Sequence, residues 1–258
     1  MYQPEQFVKL THPDGINQGF QYKEGLNEDI YELNRNEECA QGGLYFCRFK
    51  DIGEWIRRYG CDVLIWKVEI PKNEKVIDYI TKLKAKRIIL SEPKKAYDDY
   101  NICKLAVQKN GLNLEFVKEQ TPELCELAVR QTGYALRYVK EQTDELCKLG
   151  VLKDPGSLHY VRKQTIEICE FALRKDGFVL QSVIEQTPEL CKLAVMQNCH
   201  ALQFVKEQTP ELCKIAVKKY WVILKYVINQ TEELCRLAVK QCPNAISVVN
   251  QQFLYLFQ

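Results

Sequence analysis

Residues 201–219 read ALQFVKEQTPELCKIAVKK, and this stretch decides the fold because its parts return throughout the second half of the chain. Cys103, Cys125, Cys147, Cys169, Cys191, Cys213 and Cys235 stand at an unbroken spacing of 22 residues. Gln120, Gln142, Gln164, Gln186, Gln208, Gln230 and Gln252 form a second column, and Thr121, Thr143, Thr165, Thr187, Thr209 and Thr231 a third. A fixed period without insertions means one small structural unit stacked on copies of itself.

Within the unit, Thr209 suits an N-cap, Pro210 has the fixed φ of a first helical position, and Glu211 complements the positive helix start. Leu212, Cys213, Ala216 and Val217 then fall at i, i+1, i+4 and i+5, one apolar stripe on a helix of about ten residues. Gly111, Gly133, Pro155 and Gly177 share the column that follows, where a left-handed cap or a break is expected. Cys199, Trp221 and Pro243 occupy it later, so the later turns should be built differently. A shorter helix comes next, as in Tyr134–Val139, with Ala135, Leu136, Tyr138 and Val139 on its apolar face. Such a hairpin is too small to bury its own core, and stacking supplies the missing surface. The fold class expected is a small α+β module at residues 1–93, followed at 98–258 by an all-α solenoid of about seven two-helix, 22-residue hairpins with a C-terminal cap.

The Gln column reads as a structural ladder whose amides satisfy backbone groups at the inter-helix turn or the next Gln; a row of exposed amides facing a ligand is the competing reading. The Cys column reads as small core packing. Stacked helices lie about 8–10 Å apart, too far for disulfides or a shared metal ion. The tail, Ala245–Val249, then Gln252 and Phe253–Phe257, reads as a plug folded over the last hairpin, with a docking segment as the alternative.

Three solvent-facing columns change chemistry from unit to unit and are the partner-binding candidates. One runs Glu115, Arg137, His159, Gln181, Gln203, Lys225; a second Glu126, Lys148, Glu170, Lys192, Lys214, Arg236; a third includes Arg130, Arg174, Lys218 and Lys240. Acidic residues gather at helix starts and basic ones at helix ends, as dipole complementarity favours. The basic edge could meet phosphate, but aromatic platforms do not accompany its charges, and nucleic acid is disfavoured.

Bulk composition excludes little. With 36 basic and 34 acidic residues in 258, the net charge of +2 draws the chain to neither nucleic acid nor anionic membrane. No apolar run approaches the roughly 20 residues of a membrane span, and the opening MYQPEQFVKLTHPDG lacks the order of a signal peptide. A cytoplasmic location is the default.

Before the repeats, Val63–Ile70 is the best strand, stopped by Pro71, with Gly43–Cys47 and Arg87–Leu90 as shorter ones. Asp51–Tyr59 carries Ile52, Trp55, Ile56 and Tyr59 at helical spacing. Cys39, Cys47 and Cys61, even with His12, lack the paired C-x-x-C of a zinc site, and no phosphate loop or nucleophile elbow is present. No metal, cofactor or catalytic residue is therefore assigned.

The stretches FQYKEGLNED (residues 20–29), CAQGGLYFCRFKDIGEWIRRYG (39–60) and LIWKVEIPKNEKVIDYITKLKAKRIIL (64–90) resemble an N-terminal module of repeat proteins from amoeba-infecting giant viruses, mimivirus-like. The 22-residue unit is similar to a helical repeat family of unknown function in those viruses. The resemblance implies a viral protein acting on host proteins, with no chemistry to carry over. A second likeness is to ADP-ribosyltransferase-type folds, through Gly43–Cys47 and Tyr59-Gly60. It would put Tyr45 on a nicotinamide and Tyr22 on the first strand, with Trp55 and Glu69 completing the pocket candidates. Cys47 replaces the hydroxyl usual in that pattern, and Glu69 lacks the context of the family's catalytic Glu.

The sequence therefore predicts a non-enzymatic scaffold or adaptor for a protein partner, a host protein if the chain is viral, and says nothing of oligomeric state. An NAD-using module targeted by its repeats, and nucleic-acid binding through the basic edge, are the competing readings.

Overall fold

The first part of the chain folds as an antiparallel sheet. In the computed structural model, which describes residues 3, 5–34 and 42–258, the strands are β1 Phe7–Thr11, β2 Ile16–Asn17, β3 Phe20–Gln21, β4 Gly25–Glu28, β5 Leu44–Arg48, β6 Leu64–Glu69, β7 Val76–Tyr79, β8 Lys82–Ala85 and β9 Arg87–Lys95. Seven of them make one sheet in the order β4-β9-β6-β1-β5-β8-β7, while β2 and β3 form a separate hairpin. Leu44, Phe46, Trp66, Val68, Leu83, Ala85, Ile88 and Leu90 alternate along four strands into one core cluster with Tyr22. Strand β9 continues past Pro93 through a bulge, with Lys67 opposite Ser91 and Ile65 opposite Lys94. Glu92 takes a φ of 50° there, and a bulge is where a strand tolerates a proline.

The helical spacing expected at Asp51–Tyr59 appears as one α-turn, α1 Ile52–Trp55, between 3-10 turns at Phe49–Asp51 and Ile56–Tyr59. Ile52 and Ile56 are fully buried. The segments β1, β2, β3, β4, β7 and β8 have no counterpart in the strands expected from the sequence, and Tyr22 lies just after β3, not on the first strand.

The chain divides into two compact units, Met1–Lys140 and Glu141–Gln258. The first contains the sheet together with α2 Tyr100–Lys109 and α3 Pro122–Gln131, followed by six-residue 3-10 helices at Gly111–Phe116 and Gly133–Tyr138. The second contains α4 Asp144–Lys153, α5 Ile166–Lys175, α6 Pro188–Gln197, α7 Pro210–Lys219 and α8 Glu232–Gln241. Six-residue 3-10 helices follow each of these five, and a last 3-10 helix of seven residues spans Gln251–Phe257. The short helix of the repeat is thus a two-turn 3-10 helix. The tail rests on α8, with Phe253, Leu254, Leu256 and Phe257 half-buried and Tyr255 exposed.

The local code works as its chemistry dictates. Thr121, Thr143, Thr165, Thr187, Thr209 and Thr231 each accept a hydrogen bond from the backbone N–H three residues on, at 3.2–3.4 Å. Asp99 does the same for α2, from Asn101 and Ile102. In α6, Leu190, Cys191, Ala194 and Val195 are buried, and Ala201 and Leu202 of the following 3-10 helix join them.

The glycine column acts differently from the expectation. Gly111, Gly133 and Gly177 are absent from the residues with positive φ. The chain turns instead on the residue before, extended at Asn110, Thr132 and Asp176 and equally at Asn198, Tyr220 and Cys242. The later turns are therefore built like the earlier ones. Glycine answers a close approach: a Cβ on Gly111 would lie 2.3 Å from the Ala128 carbonyl oxygen, and one on Gly177 2.3 Å from that of Ala194.

Candidate functional site

The Gln column holds neighbouring repeats together. Gln186 Nε2 donates to the Phe204 carbonyl (2.9 Å), and its Oε1 accepts from Lys206 N (3.0 Å), both in the next repeat. It also reaches its own Leu180 carbonyl at 3.4 Å and accepts from the Cys191 thiol at 3.7 Å. Gln164, Gln208 and Gln230 repeat the whole pattern. Gln120 does so inside the first unit. Each amide thus spends both donors and its acceptor on backbone and thiol, and the structural reading of the column holds. The thiols are buried and free. Burial also pushes the Cys169, Cys191, Cys213 and Cys235 thiols above their ordinary range.

The variable columns lie on the surface of this scaffold. Glu115, Arg137, His159, Gln181, Gln203 and Lys225 are all exposed, on the 3-10 helices. Half-buried aromatics stand beside several of them. The Arg137 guanidinium lies 5.5 Å from the Tyr138 ring centre, Lys225 Nζ 4.7 Å from that of Tyr226, and His159 meets Tyr160 edge-on.

The second column is largely engaged in ion pairs. Lys148 meets Glu167 (2.8 Å), Lys192 meets Glu211 (3.9 Å) and Lys214 meets Glu233, each one repeat on. Glu126, Glu170 and Arg236 pair within their own helices, with Arg130, Arg174 and Glu232. Exposed pairs of this kind are worth at most about 1 kcal/mol, so a partner can displace them. Lys218 and Lys240, at helix ends, are exposed and make no ion pair with another described residue. Between α6 and α7 a groove of about 660 Å³ is lined by Lys192, Lys206, Glu207, Glu211, Leu212 and Ile215.

The sheet carries a second concave site. β1 pairs with β5 only at Phe7–Arg48 and Val8–Cys47. Beyond that point β1 stays with β6 through Thr11, while Tyr45 and Phe46 pair with β8. The parting strands open a cleft of about 210 Å³, where Tyr45 and Trp55 meet His12, Arg58, Tyr59 and Lys82. Tyr59 accepts a hydrogen bond from Asn17 Nδ2 (2.8 Å) and its ring meets His12. Burial raises the Tyr59 phenol, and the Asn17 bond opposes this. Lys9 spans the parting strands, donating from Nζ to the Tyr45 carbonyl at 2.7 Å above the Tyr22 ring. It is 3% exposed, and burial pushes its ammonium down to about 7. Burial likewise pushes the neighbouring Cys47 thiol up to about 12.

Of the pocket candidates, Tyr45 and Trp55 come together in this cleft. Tyr22 belongs to the core behind it, and Glu69 ends β6, exposed, opposite Ile89. The sequence reading missed Arg58 and Lys82. The available signal was the alternation Lys82-Leu83-Lys84-Ala85, a strand pattern disguised by its lysines. Cys39 lies outside the described residues; Cys47 is buried and Cys61 exposed. Among the described residues no helix is long and apolar enough to cross a membrane.

Residues 99–142, which cover α2, α3 and their 3-10 helices, match a family described as "Domain of unknown function (DUF4116)". A stretch of 52 residues is 40% identical to an uncharacterised protein of Acanthamoeba polyphaga mimivirus. That stretch takes in 19% of this chain and 38% of the viral protein. No solved structure matches the chain. The similarity is to a giant-virus protein of unknown function and to a family of unknown function.

Proposed function

We propose that this chain is a non-enzymatic scaffold for protein–protein interaction: an α+β module carrying an α-solenoid of about seven 22-residue hairpins, of giant-virus origin and acting on host proteins in the host cytoplasm. One observation carries the reading. The columns that join the repeats, Thr, Cys and Gln, stay constant, whereas the exposed column Glu115, Arg137, His159, Gln181, Gln203, Lys225 changes chemistry at nearly every step. A surface that varies over an unvarying frame is how repeat proteins encode a partner. The similarity to a mimivirus protein supports the viral origin.

The test is a pull-down from amoebal cytosol with the full chain and with a variant carrying Arg137→Glu, His159→Ala and Lys225→Glu. The reading expects one stoichiometric protein partner lost in the variant while the thermal midpoint is unchanged. Partners retained equally by the variant would defeat it. Salt-sensitive retention on DNA or RNA, weakened by Lys218→Glu with Lys240→Glu, would replace it with nucleic-acid binding.

A further inference from the structure

One turn of the array departs from its own frame. Tyr220 stands where the other repeats have Asn110, Thr132, Asp154, Asp176, Asn198 and Cys242, and Trp221 where they have Gly111, Gly133, Pro155, Gly177, Cys199 and Pro243. At the first of these positions Asn110, Asp176 and Asn198 each accept a hydrogen bond from the backbone N–H two residues on, capping the 3-10 helix that follows. Tyr220 makes no such cap and is 44% exposed. A position that gives up a stabilising local contact for an exposed aromatic side chain points to function.

The charge around it has one sign. Residues 212–231 hold four lysines and no acidic residue, and residues 234–258 one arginine, one lysine and no acidic residue. Glu232 and Glu233, between the two stretches, begin α8 and pair with Arg236 and Lys214. Lys218, Lys225 and Lys240 are exposed and make no ion pair with another described residue. The helix dipole does not account for Lys218, because Gln241 of the next repeat already donates to the Val217 and Lys218 carbonyls (2.9 and 3.3 Å) at that end of α7. The Tyr220 ring meets His200 at 5.9 Å and Trp221 at 6.1 Å, both edge-on. Tyr226 is already covered by Lys225 Nζ, 4.7 Å from its ring centre, which leaves Tyr220 and Trp221 as anchors. Neither the Tyr220 hydroxyl nor the Trp221 indole N–H is bonded to another described residue.

We propose that this edge, the end of α7 with Tyr220, Trp221 and Lys225 beyond it, docks an acidic segment of the protein partner. An apolar side chain of the segment packs on Tyr220 and Trp221 while its carboxylates meet Lys218 and Lys225. The proposal rests on the scaffold reading and says which chemistry the scaffold holds at this turn. Tyr and Trp anchor interfaces because each offers a large apolar body with a polar tip, and charge-assisted bonds to carboxylates are the strong ones. Rings that stand edge-on to one another do not make the row of platforms on which successive bases stack, so a protein segment fits better than a single nucleic-acid strand.

Fluorescence anisotropy of a short labelled peptide of Glu and Asp with Phe and Leu at its centre, titrated with the full chain, tests the edge. Saturable binding is expected, at least about tenfold tighter than for the same peptide with Ser replacing Phe and Leu. Lys218→Glu and Tyr220→Asn should each weaken it about tenfold. Tyr220→Asn restores the side chain of Asn110 and Asn198, so the fold is kept and its thermal midpoint should not fall. No saturation by about 1 mM chain, an unchanged Kd in either variant, or equally tight binding of an oligothymidylate of matching charge would each overturn the proposal. A pulled-down partner retained by Tyr220→Asn but lost with Arg137→Glu, His159→Ala and Lys225→Glu would overturn this edge alone and leave the scaffold reading standing.

Discussion

Replacing Gln186 by Leu removes one joint between consecutive repeats while keeping side-chain bulk. Four interactions disappear, of which the bonds to Phe204 O at 2.9 Å and from Lys206 N at 3.0 Å are the short ones. The contacts to Leu180 O and from Cys191 Sγ are longer and weaker. A net hydrogen bond is worth about 1 kcal/mol, and a stranded buried partner costs a further ~1–3 kcal/mol. Gln186 is half-buried and Lys206 exposed, so water recovers part of the second cost, which brings the expected loss to about 2–3 kcal/mol. Because stability in a repeat array is the sum of unit and interface terms, the lost interface should also broaden the transition. Urea unfolding of the full chain measures both: the midpoint falls, and the slope falls with it if the repeats on either side uncouple. Glu185→Ala, exposed and next in sequence, should stay within about 0.5 kcal/mol of the parent. A loss in Gln186→Leu no larger than that control would refute the joint. Gln186→Glu sharpens the test, since a carboxylate there faces the Leu180 and Phe204 carbonyls with no proton to donate; the variant should be weak at neutral pH and partly recover in mild acid.

Two further outcomes follow from particular contacts. Gly177→Ala should destabilise by about 1–3 kcal/mol through overpacking, because its Cβ would lie 2.3 Å from the Ala194 carbonyl oxygen; Gly177→Asn separates the two explanations of the glycine, since asparagine suits a left-handed cap but not a close approach, and urea midpoints should show it no better tolerated than alanine. Burial of Lys9 lowers its pKa from the ordinary 10.5 to about 7, so between those values the unfolded chain holds a proton that the folded chain has released. Stability should then rise with pH across that window, by up to about 1.4 kcal/mol per unit from this group, with the burial penalty present in full below pH ~7. The stability advantage of Lys9→Met over the parent should accordingly shrink between pH 6 and 9.5 in paired urea titrations, and parallel profiles would contradict it.

The helices were legible because their signals are local. A Thr cap, a Pro or acidic first turn and apolar residues at i, i+1, i+4 and i+5 act within one helix, and repetition multiplies each signal. The glycine column was legible as a turn but not in its cause. The constraint comes from a carbonyl 17 residues away, Ala194 for Gly177, and local propensity carries no trace of such a neighbour. Strand β8 stayed hidden because Lys82 and Lys84 are buried, at 9% and 0% exposure, against the usual preference of lysine for water. Of the cleft, Tyr45 and Trp55 were readable from a family pattern; Arg58 follows Trp55 on the next turn, whereas Lys82 joins them only through the pairing of β5 with β8.

The constant columns are best understood as one device. Thr, Gln and Cys recur together because Thr starts the helix, Cys turns its thiol towards the Gln oxygen, and Gln ties both to the backbone of the next unit, 18 and 20 residues on. An alanine in the Cys column would pack nearly as well, but the Gln oxygen would keep only the backbone N–H of the next repeat and lose its second, weaker donor. Serine would keep a donor at the cost of placing a hydroxyl among buried apolar side chains, where a polar group needs a good partner to be neutral. Cysteine, apolar enough for the core and still a weak donor, satisfies both requirements. The column therefore needs neither a metal nor a disulfide to account for it, and the chemistry that varies from repeat to repeat is left to the surface.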